Sequence, residues 1–420
     1  MAAALGMLLF APPAVFYLTG ARSHALGLTA ACAIVTAIAF FKVRMIVSPS
    51  PVILLWVAIS AHLAMTSFIH PLEIERAMLS LALAAVLFMT VLYVSSWLLG
   101  TSNTSISRSV FLLRGAMIVF GLASILNFQP PSPIPVKPVF PFSEPSHYAV
   151  VFTPLLVDAC VGNNNWRRYA WIGIGLFFGY AMESLSLVVG TALAAAVSLS
   201  PFRLTVGVLL AILPLNFMDL SYFLERLDLS SGTTNRSALT YMQGWELIFD
   251  SFWRTTGWGL GFQQLGYGEP TRGVAADALY EMMGSDANVQ DGGFVAAKVI
   301  SEFGLFGLAA ASIFVAYAAG AGLRLRKLSK QPLLMSPGHR LALSVVVAYS
   351  IDMFVRGIGY FTGSSALFII ASVYLLSRAG RGAAARYAFA LRESKRAAAR
   401  RIQDSYPESQ GRRHRCIRAR

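Results

Sequence analysis

The sequence predicts an all-α, polytopic integral membrane protein with about twelve transmembrane helices. Hydrophobic residues make up 56% of the 420 and charged residues only 13%, with a mean hydropathy of +0.61. Apolar runs long enough to cross a bilayer recur from Ala2 to Leu376. The runs lack the period-two alternation of a membrane barrel, so helices are the architecture that satisfies the backbone within lipid.

Taken in order, the spans are expected near residues 2–20, 24–41, 52–69, 77–99, 109–127, 147–162, 169–182, 184–200, 204–218, 303–322, 341–360 and 362–377. The first has no basic stretch before it and another span follows at once, which argues for a transmembrane helix rather than a secretory signal. The run 169–200 exceeds one span, and the polar pair Glu183-Ser184 divides it into two short helices. Two domains follow: a membrane domain over 1–378, including a large polar, Gly-rich outer loop over 219–291, and a basic tail over 379–420.

Lysine and arginine flanking the spans set orientation. Lys42, Arg44, Arg108, Arg167, Arg168, Arg203, the Arg324–Lys330 cluster and the tail all fall on one side of the twelve-span arrangement, predicting cytoplasmic termini. The Glu73–Arg76 loop, the Pro-rich 129–145 connection and the large loop fall on the other. In the tail, twelve Lys+Arg stand against three Asp+Glu, supplying most of the formal charge of +14. Next to a last span this reads as an anchor on anionic headgroups rather than a nucleic-acid grip. Cys32, Cys160 and Cys416 have no paired spacing for a disulfide framework or a zinc site.

Within the loop, Leu239, Met242, Trp245 and Phe249 fall at helical spacing and leave Arg236 at the helix start. An arginine beside free helix N–H groups favours phosphate or diphosphate; the alternative is an exposed arginine in a local ion pair. Arg254 and Arg272 are further candidates for such a clamp, or simply solvate the loop. Gly257-Trp258-Gly259-Leu260-Gly261 permits close backbone approach, but without a strand before it and a helix after it reads as a tight turn rather than a dinucleotide site. Upstream, Glu144 and His147 stand where the Pro-rich connection enters a span. A carboxylate and an imidazole there suit acid–base work, against a reading in which Glu144 is solvated and His147 caps the helix.

Charges inside apolar runs face the bundle interior as a rule. Asp352 and Arg356 at i and i+4 suggest an ion pair, Arg114 a snorkelling side chain, Glu183 a solvated break, and Asp158 a site near the cytoplasmic end of its span. Lys298 lies in a stretch where Phe294, Ala297 and Ile300 could form an interfacial helix, reaching a phosphate or a headgroup.

Five strings in this order, S-E-P-S-H-Y-A at 143–149, S-L-S-L-V-V-G at 184–190, T-N-R-S-A-L-T-Y at 234–241, G-W-G-L-G at 257–261 and S-E-F-G-L-F-G at 301–307, resemble the bacterial O-antigen polymerase and ligase superfamily. The resemblance covers roughly residues 50–378 and leaves the tail outside. It implies a metal-independent, inverting glycosyltransferase without a cofactor, at the outer face of the inner membrane. Donor and acceptor would be undecaprenyl-diphosphate-linked glycans, with membrane lipids and a chain-length regulator as partners. Arg236 matches the family arginine that faces the donor diphosphate. Family ligases carry a histidine nine residues before the glutamate of the last motif, and here that position is Gly293, so polymerisation of an exopolysaccharide, capsule or O-antigen repeat is favoured over ligation. Glu144, His147, Asp286 and Asp291 all stay open as catalytic base. A transporter of lipid-linked sugars and a non-catalytic scaffold are the rivals from other classes; no internal repeat supports the former.

Overall fold

The computed structural model describes residues 1–378 except 22, 134–138, 164–165, 216–218, 231, 268–272, 285–288 and 331–334. Arg272, Asp286 and the basic tail therefore lie outside the described residues. Residues 1–374 form one compact unit; a second unit is 375–420, of which 375–378 close the last helix.

Every regular element among the described residues is helical. In order they are α1 (Ala2–Thr19), α2 (Ala25–Lys42), α3 (Ser50–Thr66), α4 (Ile74–Gly100), α5 (Asn103–Ile125), α6 (Pro145–Gly162), α7 (Trp166–Ala181), α8 (Leu185–Ser198), α9 (Pro201–Leu215), α10 (Ser221–Leu227), α11 (Arg236–Arg254), α12 (Val274–Met283), α13 (Val295–Leu328), α14 (Pro337–Ala348), α15 (Ser350–Phe354) and α16 (Gly363–Arg378). Five of them, α1, α2, α4, α5 and α13, are long and apolar enough to cross a membrane; α3, α8 and α16 are shorter apolar helices. The expected break at Glu183-Ser184 is present, with Glu183 at φ 50 and the Ser184 hydroxyl accepting from the Leu187 N–H at the start of α8.

The centre of the fold is α6, buried along almost its whole length. A helix apolar on every side is one surrounded by other helices. It packs most extensively on α8, where a Cβ at Gly190 would collide with the Thr153 side chain. The glycine therefore sets how closely these two helices approach, as small residues do where no hydrophobic drive exists between helices in lipid. At one end of this pair Asp158, fully buried, bridges Arg114 of α5 and Arg340 of α14, the latter at 2.7 Å. Arg114 does not snorkel; it finds a buried carboxylate, which is the cheaper solution for a guanidinium inside a bundle. Nearby, the buried Arg168 donates to the carbonyls of Cys160, Asn163, Ser198 and Ser329, tying together the C-terminal ends of α6, α8 and α13. Those carbonyls have no helical partners of their own, and a guanidinium satisfies several at once.

Two expectations fail at the other end of the bundle. The span expected over 341–360 is built of two consecutive short helices, α14 and α15, and gives way early to irregular chain that runs to Thr362. The helix stops because the Arg356 N–H reaches back to the Ile351 carbonyl at 2.9 Å and the Gly357 N–H goes to the Gly293 carbonyl at 3.0 Å. With the last turn lost, Arg356 no longer lies above Asp352, and no ion pair joins them. Asp352 instead accepts from the Ser364 hydroxyl at 2.7 Å, and Arg356 reaches Glu144. Likewise Lys298 is not on a separate interfacial helix. It belongs to α13, which runs from Val295 through the expected span and is kinked at Gly304 (φ 57, ψ −128).

Candidate active site

Both glycine motifs turn out to be one structural device. A Cβ at Gly304 would strike the Gly257 carbonyl oxygen, and the Leu305 N–H donates to that same oxygen at 2.8 Å. Glycine is required twice over there, by the left-handed φ and by the close approach. Leu260 and Gly261 N–H groups donate to the Ser301 and Glu302 carbonyls at 3.0 and 2.8 Å. The Glu302 carboxylate, fully buried, accepts from the Gln263 and Leu265 N–H groups at 2.9 and 3.3 Å. The G-W-G-L-G turn is thus docked on the kink of α13, and its distal residues are fixed. Gln264 accepts from the Glu73 N–H at 2.8 Å and Gln263 accepts from Arg76 Nη2 at 3.2 Å, so the docked loop holds the start of α4.

The S-E-P-S-H-Y-A string forms the start of α6. Glu144 occupies its N-cap position in extended conformation, with its carbonyl accepting from the His147 and Tyr148 N–H groups at 3.1 and 3.2 Å. Ser184 of the second string donates to the Pro145 carbonyl at 3.3 Å, pinning this entry to α8. The Glu144 carboxylate accepts from Ser146 at 3.0 Å and from Arg356 at 3.2 Å. Burial works to raise the Glu144 pKa, but Arg356, His147 and the two hydrogen bonds outweigh it and hold the group well below the usual carboxylate range. His147 is buried, with Nδ1 and the Ser143 hydroxyl 2.9 Å apart. It is therefore oriented by Ser143 rather than acting as a cap. His24, before α2, lies edge-on to His147 with ring centres 5.6 Å apart.

Arg236 is the first residue of α11, exposed, with Asn235 capping the Ser237 and Ala238 N–H groups. α11 forms as its spacing suggests, but on a shifted face. Leu239, Gln243, Leu247 and Ser251 are buried, whereas Trp245, Phe249 and Trp253 are 42%, 60% and 78% exposed. The buried stripe rests on the start of α13, where a Cβ at Gly244 would meet the Phe294 ring.

These pieces surround a single cleft of about 1120 Å³. Its walls carry Glu144 and His147 from one string and Arg236 from another, with Arg76, Lys298, Arg356 and Asp291 beside them. Lys298 is 2% exposed, donates to the Gln290 carbonyl at 2.7 Å, and lies 3.5 Å from Asp291. Two of the four cleft cations are thus paired, Lys298 with Asp291 and Arg356 with Glu144. Among the described residues no carboxylate pairs with the other two, Arg76 and Arg236. Arg76 Nη1 is buried without a hydrogen-bond partner, and its guanidinium stands 4.2 Å from the Tyr267 ring centre. Arg254 does not line the cleft. It ends α11, about 27 Å along the axis from Arg236, and pairs with Asp250 at 2.7 Å. Among the described residues no group of three or more His, Cys, Asp or Glu is arranged to hold a metal.

Arg76 and Arg356 are the site residues that sequence reasoning missed. Arg76 stood in a short outer loop and was read for orientation only, and Arg356 was assigned to Asp352. Fold and site together define a helical, membrane-embedded protein with an arginine-bearing polar cleft. Comparison with protein families, curated proteins and solved structures finds no match.

Proposed function

We propose that this chain polymerises undecaprenyl-diphosphate-linked oligosaccharide repeat units at the periplasmic face of a bacterial inner membrane, as an inverting glycosyltransferase. The proposal includes twelve spans with both termini cytoplasmic, which puts the cleft on the outer side. The observation that carries it is the convergence of Glu144, His147 and Arg236 on one cleft that also holds Arg76 without a carboxylate partner. The five-string resemblance supplies the substrate class.

Glycosyl transfer from a diphosphate requires little covalent work from the protein. The leaving group needs its charge held, and the attacking hydroxyl needs orientation and a proton acceptor. Arg236 and Arg76 face the diphosphate, where unpaired guanidinium groups can bind two oxygens each. Glu144 accepts from Ser146 and Arg356, and its part is to fix Arg356 on the cleft wall. His147 takes the hydroxyl proton as the new bond to the anomeric carbon forms and the bond to diphosphate oxygen breaks. The Ser143 contact at Nδ1 leaves Nε2 for that role.

The test is the glycan profile of a deletion strain, with lipid-linked intermediates resolved from finished polysaccharide. Single repeat units without longer chains support the proposal. Full-length chains stranded on the lipid carrier would assign ligation instead, and an unchanged profile would remove both readings.

A further inference from the structure

We infer that the face of α4 below Arg76 is the track for the hydrocarbon tail of a long-chain polyprenyl phosphate, with Arg76 holding the phosphate at its head. This rests on the lipid-linked substrate reading above and adds where the lipid lies.

The residues that α4 contributes to the cleft wall include Arg76, Leu79, Ser80 and Leu83. Their spacing of i, i+3, i+4 and i+7 is one face of a helix, descending about 10 Å from the arginine. The cleft is therefore not confined to the polar ring around Glu144 and His147. It continues down α4, the most apolar of the five membrane-length helices. Leu79 is 65% exposed, a large apolar side chain on a cleft wall without protein cover. Phe16 of α1 and Ala25 of α2 line the same space.

Arg76 at the top is held for a headgroup. Gln263 and the Tyr267 ring fix its guanidinium, while buried Nη1 has no partner. A buried N–H left unsatisfied costs free energy that a phosphate oxygen would recover. Gln264 locks the adjoining backbone at Glu73. A fixed arginine above the exposed Leu79 and the partly buried Leu83 of one helix face matches an amphiphile with an anionic head and one long tail. A water-soluble diphosphate would have no use for the lower half.

The test measures binding to the purified full-length protein in detergent, using a long-chain polyprenyl phosphate, inorganic pyrophosphate and phosphatidylglycerol as separate probes. Leu79→Gln is expected to weaken polyprenyl phosphate binding about tenfold, the worth of one leucine contact, and to leave pyrophosphate binding unchanged. Leu83→Trp, which fills the track, should act in the same way, and Arg76→Gln should weaken both probes. Unchanged polyprenyl phosphate affinity in both leucine variants overturns the inference, as does an equal loss of pyrophosphate binding. Phosphatidylglycerol binding as tightly as polyprenyl phosphate would also overturn it, by showing a general lipid surface. Because binding is read without glycan transfer, a normal glycan profile in the deletion strain would remove the polymerase proposal and leave these outcomes separately readable.

Discussion

Arg356 and Glu144 stand 212 residues apart in the chain and meet at 3.2 Å on the wall of the cleft. The contact exists because α15 ends at Phe354 and α6 begins at Pro145, so two helix ends present their flanking side chains to each other. Both side chains keep partial solvent access, 22% for Arg356 and 44% for Glu144, which limits the contact to about 0.5–1 kcal/mol. A double-mutant cycle on elongation rate with Arg356→Ala and Glu144→Gln should show that coupling, with the double variant less impaired than the product of the singles. Strict additivity would mean the two groups act independently.

The pH dependence of this pair has a definite sign. The folded-state pKa of Glu144 lies below its ordinary value of 4.5, since Arg356, His147 and two hydrogen bonds prevail over burial. Its contribution to stability is therefore fully present above that ordinary value and is lost as pH falls below it through the folded pKa. The thermal midpoint of the wild type should drop more than that of Glu144→Gln on acidification below 4.5. Parallel curves would show that Glu144 is unperturbed.

Arg236→Ala should leave the protein inserted at normal abundance, because the side chain is exposed. Elongation should fall by about 10²–10³, as for removal of one preorganised donor to a developing anion. Polymer of normal length in this variant would take Arg236 out of the mechanism.

His147→Gln should reduce turnover by about 10²–10⁴ if the imidazole is the proton acceptor. Ser143→Ala, which removes only the 2.9 Å contact at Nδ1, should cost less and shift the pH–rate profile. A His147→Gln enzyme with wild-type turnover would assign the residue to packing alone.

Gly304→Ala places a Cβ against the Gly257 carbonyl and forces a left-handed φ on alanine. Strain of about 1–3 kcal/mol is expected, undocking the loop that carries Gln263 and Gln264. A lower thermal midpoint together with weaker diphosphate binding is the predicted result. Retained binding with only the midpoint lowered would separate the loop from the site.

The helical class and most element positions were legible because each depends on the chain near itself. The apolar runs, the break at Glu183-Ser184 and the amphipathic period of α11 are local signals. Arg236, Glu144 and His147 were likewise nameable, each from a charged or aromatic side chain set at a helix start. Pairings were less legible. The i, i+4 spacing of Asp352 and Arg356 holds only while the helix lasts, and this helix yields to the Gly357–Gly293 hydrogen bond, a contact between distant segments. The face that α11 buries is likewise set by distant segments: Leu239 packs on Ala275 and Leu279, and Leu247 on Leu265 and Val289, while Trp245 and Phe249 are exposed.

Arg76 shows the difference most directly. As sequence it is one of several arginines in short loops; in the fold it has Gln263 and Tyr267 around it, from a segment nearly 200 residues away. By itself the sequence determined that the chain is helical and built for lipid, since hydrophobic period and length are properties of consecutive residues. The tertiary structure alone decided which charges pair, which stay open and which cleft they share, because those depend on distances between residues that the chain order does not fix.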